Sequence, residues 1–133
     1  MIQTKIQFDT ENQILHAVLA GKMNRKSLEI ALKKIYRSCE ENSLDSILID
    51  LTNLNRFAPE GSVVASETFR SRIAEKFIDI FKRRTGMIFG VISKPKWYNG
   101  FSEYLIQSSG LILKVFSNKE DALHWLTEQS KLE

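Results

Sequence analysis

The chain has 133 residues, of which 43% are hydrophobic and 26% are charged, and this composition predicts one globular domain over residues 1–133 and excludes wholesale disorder. Its 19 basic and 16 acidic residues leave a formal net charge of +3, an excess too small to indicate nucleic-acid binding. Because Cys39 is the single cysteine, no internal disulfide can form. No run of roughly 18 apolar residues occurs, and the N-terminal pattern predicts no signal peptide. We therefore expect a cytoplasmic protein without a membrane span.

The first predicted elements form a β-hairpin. Residues Gln3 to Phe8 alternate between apolar and polar, which is typical of an edge strand that is wet on one face. Residues Gln13 to Ala20 form a more continuous apolar run. Because the turn Asp9–Asn12 between the two runs is short, it allows antiparallel pairing only.

A helix and a central strand follow. From Asn24 to Glu41 the apolar side chains recur every three or four residues, which predicts an amphipathic helix with Cys39 as a small buried hydrophobe. The apolar run Ser46 to Leu51 predicts a strand covered on both faces, and the turn-forming residues Thr52 to Pro59 predict a loop after it. A strand, helix, strand order implies a right-handed crossover, so we expect the second and third strands to be parallel.

The rest of the chain alternates helices and strands. A long helix is predicted over Glu60 to Arg83, with an apolar stripe formed by Phe69, Ile73, Phe77, Ile80 and Phe81. The further elements are strands over Gly86–Ser93 and Leu111–Phe116, a helix over Trp97–Gln107, and a last helix that begins at the capping-box pair Ser117 and Glu120. The order ββαβαβαβα predicts a single-domain α/β sandwich, in which a five-stranded mixed sheet carries helices on both faces.

Three local sequences carry a resemblance to a known family. They are ILIDLTNL at 47–54, MIFGVIS at 87–93 after a long helix and before a tryptophan, and VFSNKEDALHWL at 115–126. With the order of elements, these sequences resemble the SpoIIAA-like branch of the STAS-domain superfamily, which is related to anti-sigma-factor antagonists. The resemblance covers nearly the whole chain. It implies the STAS fold and a regulatory, non-enzymatic function.

The resemblance also points to a switch position. In the antagonist relatives, the first turn of the helix after the central strand carries a phosphorylatable serine, preceded by an acid and followed by glycine. Here Ser62 follows Gly61 instead of preceding it, so the resemblance predicts a chain without the usual phosphoserine switch. Glu60 places a negative charge at the predicted helix start, where acids are common and stabilising, although a permanent charge there would also resemble the phosphorylated state.

The residue types needed for catalysis are present but are not arranged for it. A nucleophile such as Cys39 or Ser62 would need a histidine beside it, and His16 in the second strand and His124 on the last helix are better explained by packing and surface positions. One cysteine and two distant histidines form no zinc-type spacing, and no glycine-rich phosphate loop occurs. We therefore predict no enzymatic activity, no cofactor and no metal.

Basic residues follow the predicted long helix and could in principle contact phosphate or anionic lipid. They are Arg70, Arg72, Lys76, Lys82, Arg83 and Arg84. Because Glu67, Glu75 and Asp79 lie between them, a salt-bridged solvent face is the better interpretation.

The candidate site comes from topology. In parallel sheets, the loops after adjacent strands form a crevice, here Asn53 to Ser62 beside Ser93 to Tyr98. The candidate residues are Asn53, Arg56, Phe57, Glu60, Ser62, Lys94, Trp97 and Tyr98. Such basic and aromatic groups suit a small apolar anion, for example a fatty acyl carboxylate, or an acidic strand or helix of a partner protein. The alternative is that Trp97 starts a helix and covers the edge of the core.

The predicted function is a regulatory module that binds a protein partner or a small hydrophobic or anionic ligand, and a homodimer is compatible with it. The alternative is a carrier of a lipid or other hydrophobic ligand, because the branch also resembles the CRAL-TRIO lipid-transfer domain in fold. A carrier needs an apolar cavity under the long helix. A third class, the hydrolases, would need His16 or His124 to face Ser62 or Cys39 in a cleft.

Overall fold

Strands and helices alternate after an initial hairpin, as the hydrophobic pattern predicts. The computed structural model describes residues 2–23, 25–56, 75–82, 86–93 and 106–130. In chain order the elements are β1 (Ile2–Asp9), β2 (Ile14–Met23), α1 (Arg25–Asn42), β3 (Ser46–Arg56), α2 (residues 75–81), β4 (Ile88–Ile92), β5 (Ile112–Phe116) and α3 (Lys119–Ser130). Residues 106–108 are helical as well, in agreement with the end of the helix predicted over Trp97–Gln107.

The five strands form one mixed sheet in the order β1-β2-β3-β4-β5. β1 pairs antiparallel with β2 from Ile2↔Gly21 to Asp9↔Ile14, which confirms the predicted hairpin. The other three pairings are parallel, as expected for strands joined by helical crossovers. The carboxyl ends of β2 to β5 therefore point toward the same edge of the sheet.

One face of the sheet carries α1 and α2 over an aromatic core. Phe77 and Phe81 of α2 lie against Phe89 of β4, and the three pairs of ring centroids are 4.7 to 4.9 Å apart. These separations are typical of favourable tilted and edge-to-face contacts. Cys39 is fully buried in the same cluster, as predicted. The predicted stripe is thus confirmed for Phe77 and Phe81, whereas Phe69 and Ile73 lie outside the described residues.

The other face carries α3, so the prediction of helices on both faces is confirmed. Ala122 and Leu126 of α3 are fully buried with Leu48, Ile88 and Ile92 of the sheet. The helix lies very close to β4. A Cβ added at Gly90 would lie 3.1 Å from Cδ1 of Leu126, a distance that real Cβ contacts seldom reach.

The N-terminal cap of α3 corrects the prediction by one residue. The side chain of Asn118, not Ser117, accepts a hydrogen bond from the backbone N–H of Asp121 at 2.9 Å. The Asn118 amide nitrogen also donates to the Asp121 carboxylate at 2.9 Å. The reason is that the helix begins at Lys119, which places Asn118 at the N-cap and an acid three residues after it.

The third strand also differs from its prediction, because β3 continues to Arg56 where a loop was expected from Thr52. β2 likewise continues to Met23, and the two strands remain paired up to Met23↔Arg56. This pairing outweighs the weak strand propensity of the asparagines in this stretch, since strand preference depends strongly on neighbouring strands. β3 pairs with β4 only from Ser46 to Asp50.

Candidate functional site

The end of β3 has an irregular backbone held by a side chain. The register between β2 and β3 shifts after Val18↔Asp50, and the next pair is Ala20↔Asn53, so β3 contains one additional residue there. The Asp50 carboxylate accepts two hydrogen bonds from Thr52, from its backbone N–H at 2.9 Å and from its hydroxyl at 2.6 Å. Asp50 therefore stabilises this bulge, and its carboxylate is engaged within its own strand.

The predicted crevice is described only in part. Asn53 is exposed on β3 opposite Ala20, and Arg56 is the last residue of β3, so both lie on a strand and not in the predicted loop. The other candidates lie outside the described residues: Phe57, Glu60, Ser62, Lys94, Trp97 and Tyr98. The grouping of all eight residues into one site remains a prediction.

A groove between α1 and α2 is an additional candidate surface. Its volume is about 410 Å³, and it is lined by Glu29, Lys33, Tyr36, Arg37, Glu40, Lys76, Asp79 and Ile80. Three of these side chains are acidic and three are basic, so the groove has no dominant charge. Its lining includes Tyr36, whose ring lies 5.8 Å from the Phe81 ring, centroid to centroid. A partner with charges of both signs would fit such a groove better than a polyanion would.

Glu29 links the two helices that form this groove. Its carboxylate lies 3.1 Å from Nζ of Lys33 on α1 and 3.8 Å from Nζ of Lys76 on α2. The hydrogen bond from Lys33, the charge of Lys33 and the charge of Lys76 together lower the pKa of Glu29. Lys82 lies 3.6 Å from Asp79. Lys76 and Lys82 thus agree with the predicted salt-bridged face, whereas Arg70, Arg72, Arg83 and Arg84 lie outside the described residues.

The histidines and the cysteine lie on opposite sides of the sheet. Cys39 is buried among the residues that pack under α1. His16 lies two residues after Ile14 on β2, so it shares the face of the sheet that packs under α3. His124 lies on α3 itself, where it is 78% exposed. The sheet therefore separates Cys39 from both histidines, and no Cys–His catalytic pair forms. Ser62, the other nucleophile considered, lies outside the described residues.

His16 is a partly buried polar group. Within the described part of the chain, its Nε2 atom is inaccessible to solvent and has no hydrogen-bond partner. Burial is the main cause that lowers the pKa of His16; the charge of Lys119 lowers it further, and the charge of Asp9 opposes both. Burial and the charge of Lys119 therefore both favour the neutral form of the ring.

The described residues contain neither a membrane-spanning helix nor a cluster of metal ligands. None of the described helices is long and apolar enough to cross a membrane. In the same residues, no three His, Cys, Asp or Glu side chains are grouped closely enough to hold a metal ion.

The architecture defines a class of protein, the α/β sandwiches with a SpoIIAA-like fold. An anti-sigma factor antagonist from Mycobacterium paratuberculosis matches with a TM-score of 0.56 and 14% sequence identity, over 95% of this chain and 94% of that one. A DUF3478-family protein with a SpoIIAA-like fold from Shewanella loihica matches with a TM-score of 0.59 and 17% identity, over 94% and 93% of the two chains. No protein-family model and no curated protein matches the sequence. The predicted resemblance is thus confirmed as a likeness of fold.

Sequence reasoning did not find the α1–α2 groove. The spacing of Glu29 and Lys33 by four residues is a local signal for an ion pair on a helix. The contribution of Lys76 and Asp79 depends on α2 lying beside α1, and no local spacing shows that.

Proposed function

We propose that this chain is a non-enzymatic regulatory module that recognises a protein partner, or a small hydrophobic or anionic ligand, through one domain over residues 1–133. The observation that carries the proposal is the fold, which matches that of an anti-sigma factor antagonist over nearly the full length of both chains. The proposed setting is the cytoplasm. The proposed recognition surface is the crevice after β3 and β4, and the groove between α1 and α2 is a second polar surface available to a partner.

The cysteine and the histidines lie on opposite faces of the sheet, which favours a binding function over catalysis. Cys39 is enclosed in the core under α1, and both histidines belong to the α3 side. Acyl transfer by a cysteine needs the thiol and a base within hydrogen-bond reach of each other. A protein partner needs only an accessible surface with complementary shape and charge.

The test compares the predicted crevice with a matched surface position. We expect Arg56→Glu and Trp97→Ala to lose a protein that co-purifies with the wild-type chain, as measured by quantitative affinity purification followed by mass spectrometry. Lys34→Glu on α1 is the control, because Lys34 is exposed and lies outside the groove lining. If all three variants retain every partner of the wild-type chain, the crevice is not the recognition surface.

Native mass spectrometry distinguishes the proposed regulatory module from the alternative, a carrier of a hydrophobic ligand. Between α2 and the sheet, the described part of the core is filled by the rings of Phe77, Phe81 and Phe89. We therefore expect the purified chain to have the mass of the polypeptide alone. A co-purifying lipid would favour the carrier instead.

The absence of the phosphoserine switch is part of the proposal, because Ser62 follows Gly61 instead of preceding it. We expect the intact mass of the protein isolated from its natural source to contain no phosphate. A stoichiometric phosphate located on Ser62 would overturn this part.

A further inference from the structure

The two edges of the sheet differ in how their backbone groups are satisfied. At the β5 edge, the side-chain amide of Gln107 donates a hydrogen bond of 2.6 Å to the backbone carbonyl of Leu113. At the other edge, β1 pairs with β2 along all eight of its residues, and no other described strand pairs with it. An eight-residue edge of this kind presents a row of backbone donors and acceptors to another strand.

The side chains of β1 also divide cleanly between its two faces. Ile2 and Ile6 pack against the core under α1. Thr4 and Phe8 lie on the same face, because every second residue of a strand faces the same side. Phe8 remains 45% exposed and is one of three large hydrophobic residues that are exposed in the described part of the chain. The other face of β1 is polar and consists of Gln3, Lys5, Gln7 and Asp9. The edge therefore has an apolar stripe on one side and a polar stripe, with one base and one acid, on the other.

We propose that β1 pairs antiparallel with β1 of a second copy of this chain and joins two five-stranded sheets into one. A twofold axis perpendicular to the sheet keeps the same face of both copies on the same side, so the apolar stripe of one copy continues into that of the other. The polar stripe carries one base and one acid, Lys5 and Asp9, so an antiparallel copy of the edge offers charges of both signs to it. This inference is independent of the proposed function.

The side chains select one register. A pairing centred on Ile6 places Ile6 opposite its own copy, Thr4 opposite Phe8, and Lys5 opposite Gln7. It would cover the exposed part of Phe8 and use residues 3–9. A pairing centred on Lys5 would place two lysines directly opposite each other, which is unfavourable. A pairing centred on Gln7 would shorten the paired segment to residues 5–9.

Sedimentation velocity over a range of protein concentrations tests the association. We expect a reversible monomer–dimer equilibrium for the wild-type chain. Phe8→Lys should raise the dimer Kd by about tenfold or more, because it removes the apolar side chain that faces Thr4 of the second copy and adds a charge to the edge. Ile112→Lys is the matched control, since Ile112 is 44% exposed on β5. A wild-type chain that stays monomeric at all concentrations overturns the proposal, as does an equal effect of the two variants.

Chemical cross-linking tests the register. In the pairing centred on Ile6, a cysteine at position 5 would lie diagonally across from its copy, at about 7–8 Å. A cysteine at position 3 would lie roughly 20 Å from its copy. A short thiol-specific cross-linker should therefore join Lys5→Cys chains and leave Gln3→Cys chains separate, and the buried Cys39 should not react in the wild-type control. Equal cross-linking of the two variants overturns the register. If the Phe8→Lys chain is monomeric and no longer binds a different protein that the wild-type chain binds, the β1 edge pairs with a strand of that protein. This result overturns the dimer.

Discussion

The two faces of the sheet are built differently. Among the described residues, the cluster under α1 and α2 contains nineteen buried side chains, including three phenylalanines, whereas the cluster under α3 contains six. The first face is therefore a thick core. The second depends on the close approach of a single described helix, which Gly90 permits by having no side chain. Stability should accordingly depend on the buried side-chain volume at the first face and on how closely α3 fits against β4 at the second.

The largest effect is expected on the thick face. Phe81 is fully buried and its ring contacts the rings of Tyr36, Phe77 and Phe89. Phe81→Ala should lower the free energy of unfolding by about 3–5 kcal/mol, because it removes a large side chain and leaves a cavity. Urea denaturation measures this change. Ile30→Ala, at a site that is 61% exposed on α1, is the control and should change stability by less than about 0.5 kcal/mol. A loss below about 1 kcal/mol for Phe81→Ala would refute the importance of this core.

At the thin face, the fit between β4 and α3 should appear as coupling between two residues. Leu126→Ala should cost about 2–4 kcal/mol, because Leu126 is fully buried. Gly90→Ala should cost about 1 kcal/mol in the wild-type chain, since its new Cβ would lie 3.1 Å from Leu126.

In the Leu126→Ala background the same Gly90→Ala substitution should become neutral or stabilising, because the obstructing side chain is gone and alanine has less conformational freedom to lose than glycine. A thermodynamic double-mutant cycle from denaturant titrations measures the coupling. Additive effects would show that α3 does not depend on close contact at Gly90.

The start of α3 should contribute a smaller amount to the same face. Asn118→Ala removes the side chain that accepts the Asp121 N–H and should lower the free energy of unfolding by about 1 kcal/mol. Ser117→Ala is the matched control, because Ser117 is the adjacent residue that the sequence pattern favoured as the cap. Its effect should be less than about 0.5 kcal/mol. If the two substitutions were equally costly, the assignment of Asn118 as the cap would be wrong.

The smallest effect should be a pH dependence that originates at the α3 face. The pKa of His16 is lowered from its ordinary value of 6.5 in the folded chain, so below that pH the unfolded chain binds more protons than the folded one. The contribution of His16 to stability is therefore fully present above about 6.5 and is lost as the pH falls toward the lower folded value.

Thermal unfolding between pH 7 and 5 measures this loss. His16→Gln should flatten this pH dependence relative to the wild-type chain. Identical pH profiles for wild type and His16→Gln would exclude His16 as the source.

Particular residues show which features were predictable from the sequence. The burial of Phe77, Phe81 and Cys39 followed from their spacing, because helical periodicity places such residues on one side whatever the partner is. The extension of β3 through Asn53 and Arg56 was missed, because it depends on β2 continuing beside them. The candidate crevice could be proposed from strand order, but the grouping of its eight side chains is a tertiary property, and only Asn53 and Arg56 lie among the described residues.

The sequence by itself determined the order of elements, the antiparallel hairpin, the parallel crossovers and the SpoIIAA-like likeness, because hydrophobic period and loop length are local properties of the chain. The tertiary structure alone decided which side chains meet. It brought Lys76 to Glu29 and placed Leu126 on Gly90. It also separated Cys39 from the histidines and, among the described strands, paired β1 with β2 alone. These outcomes depend on how distant elements pack, and no local pattern contains that information.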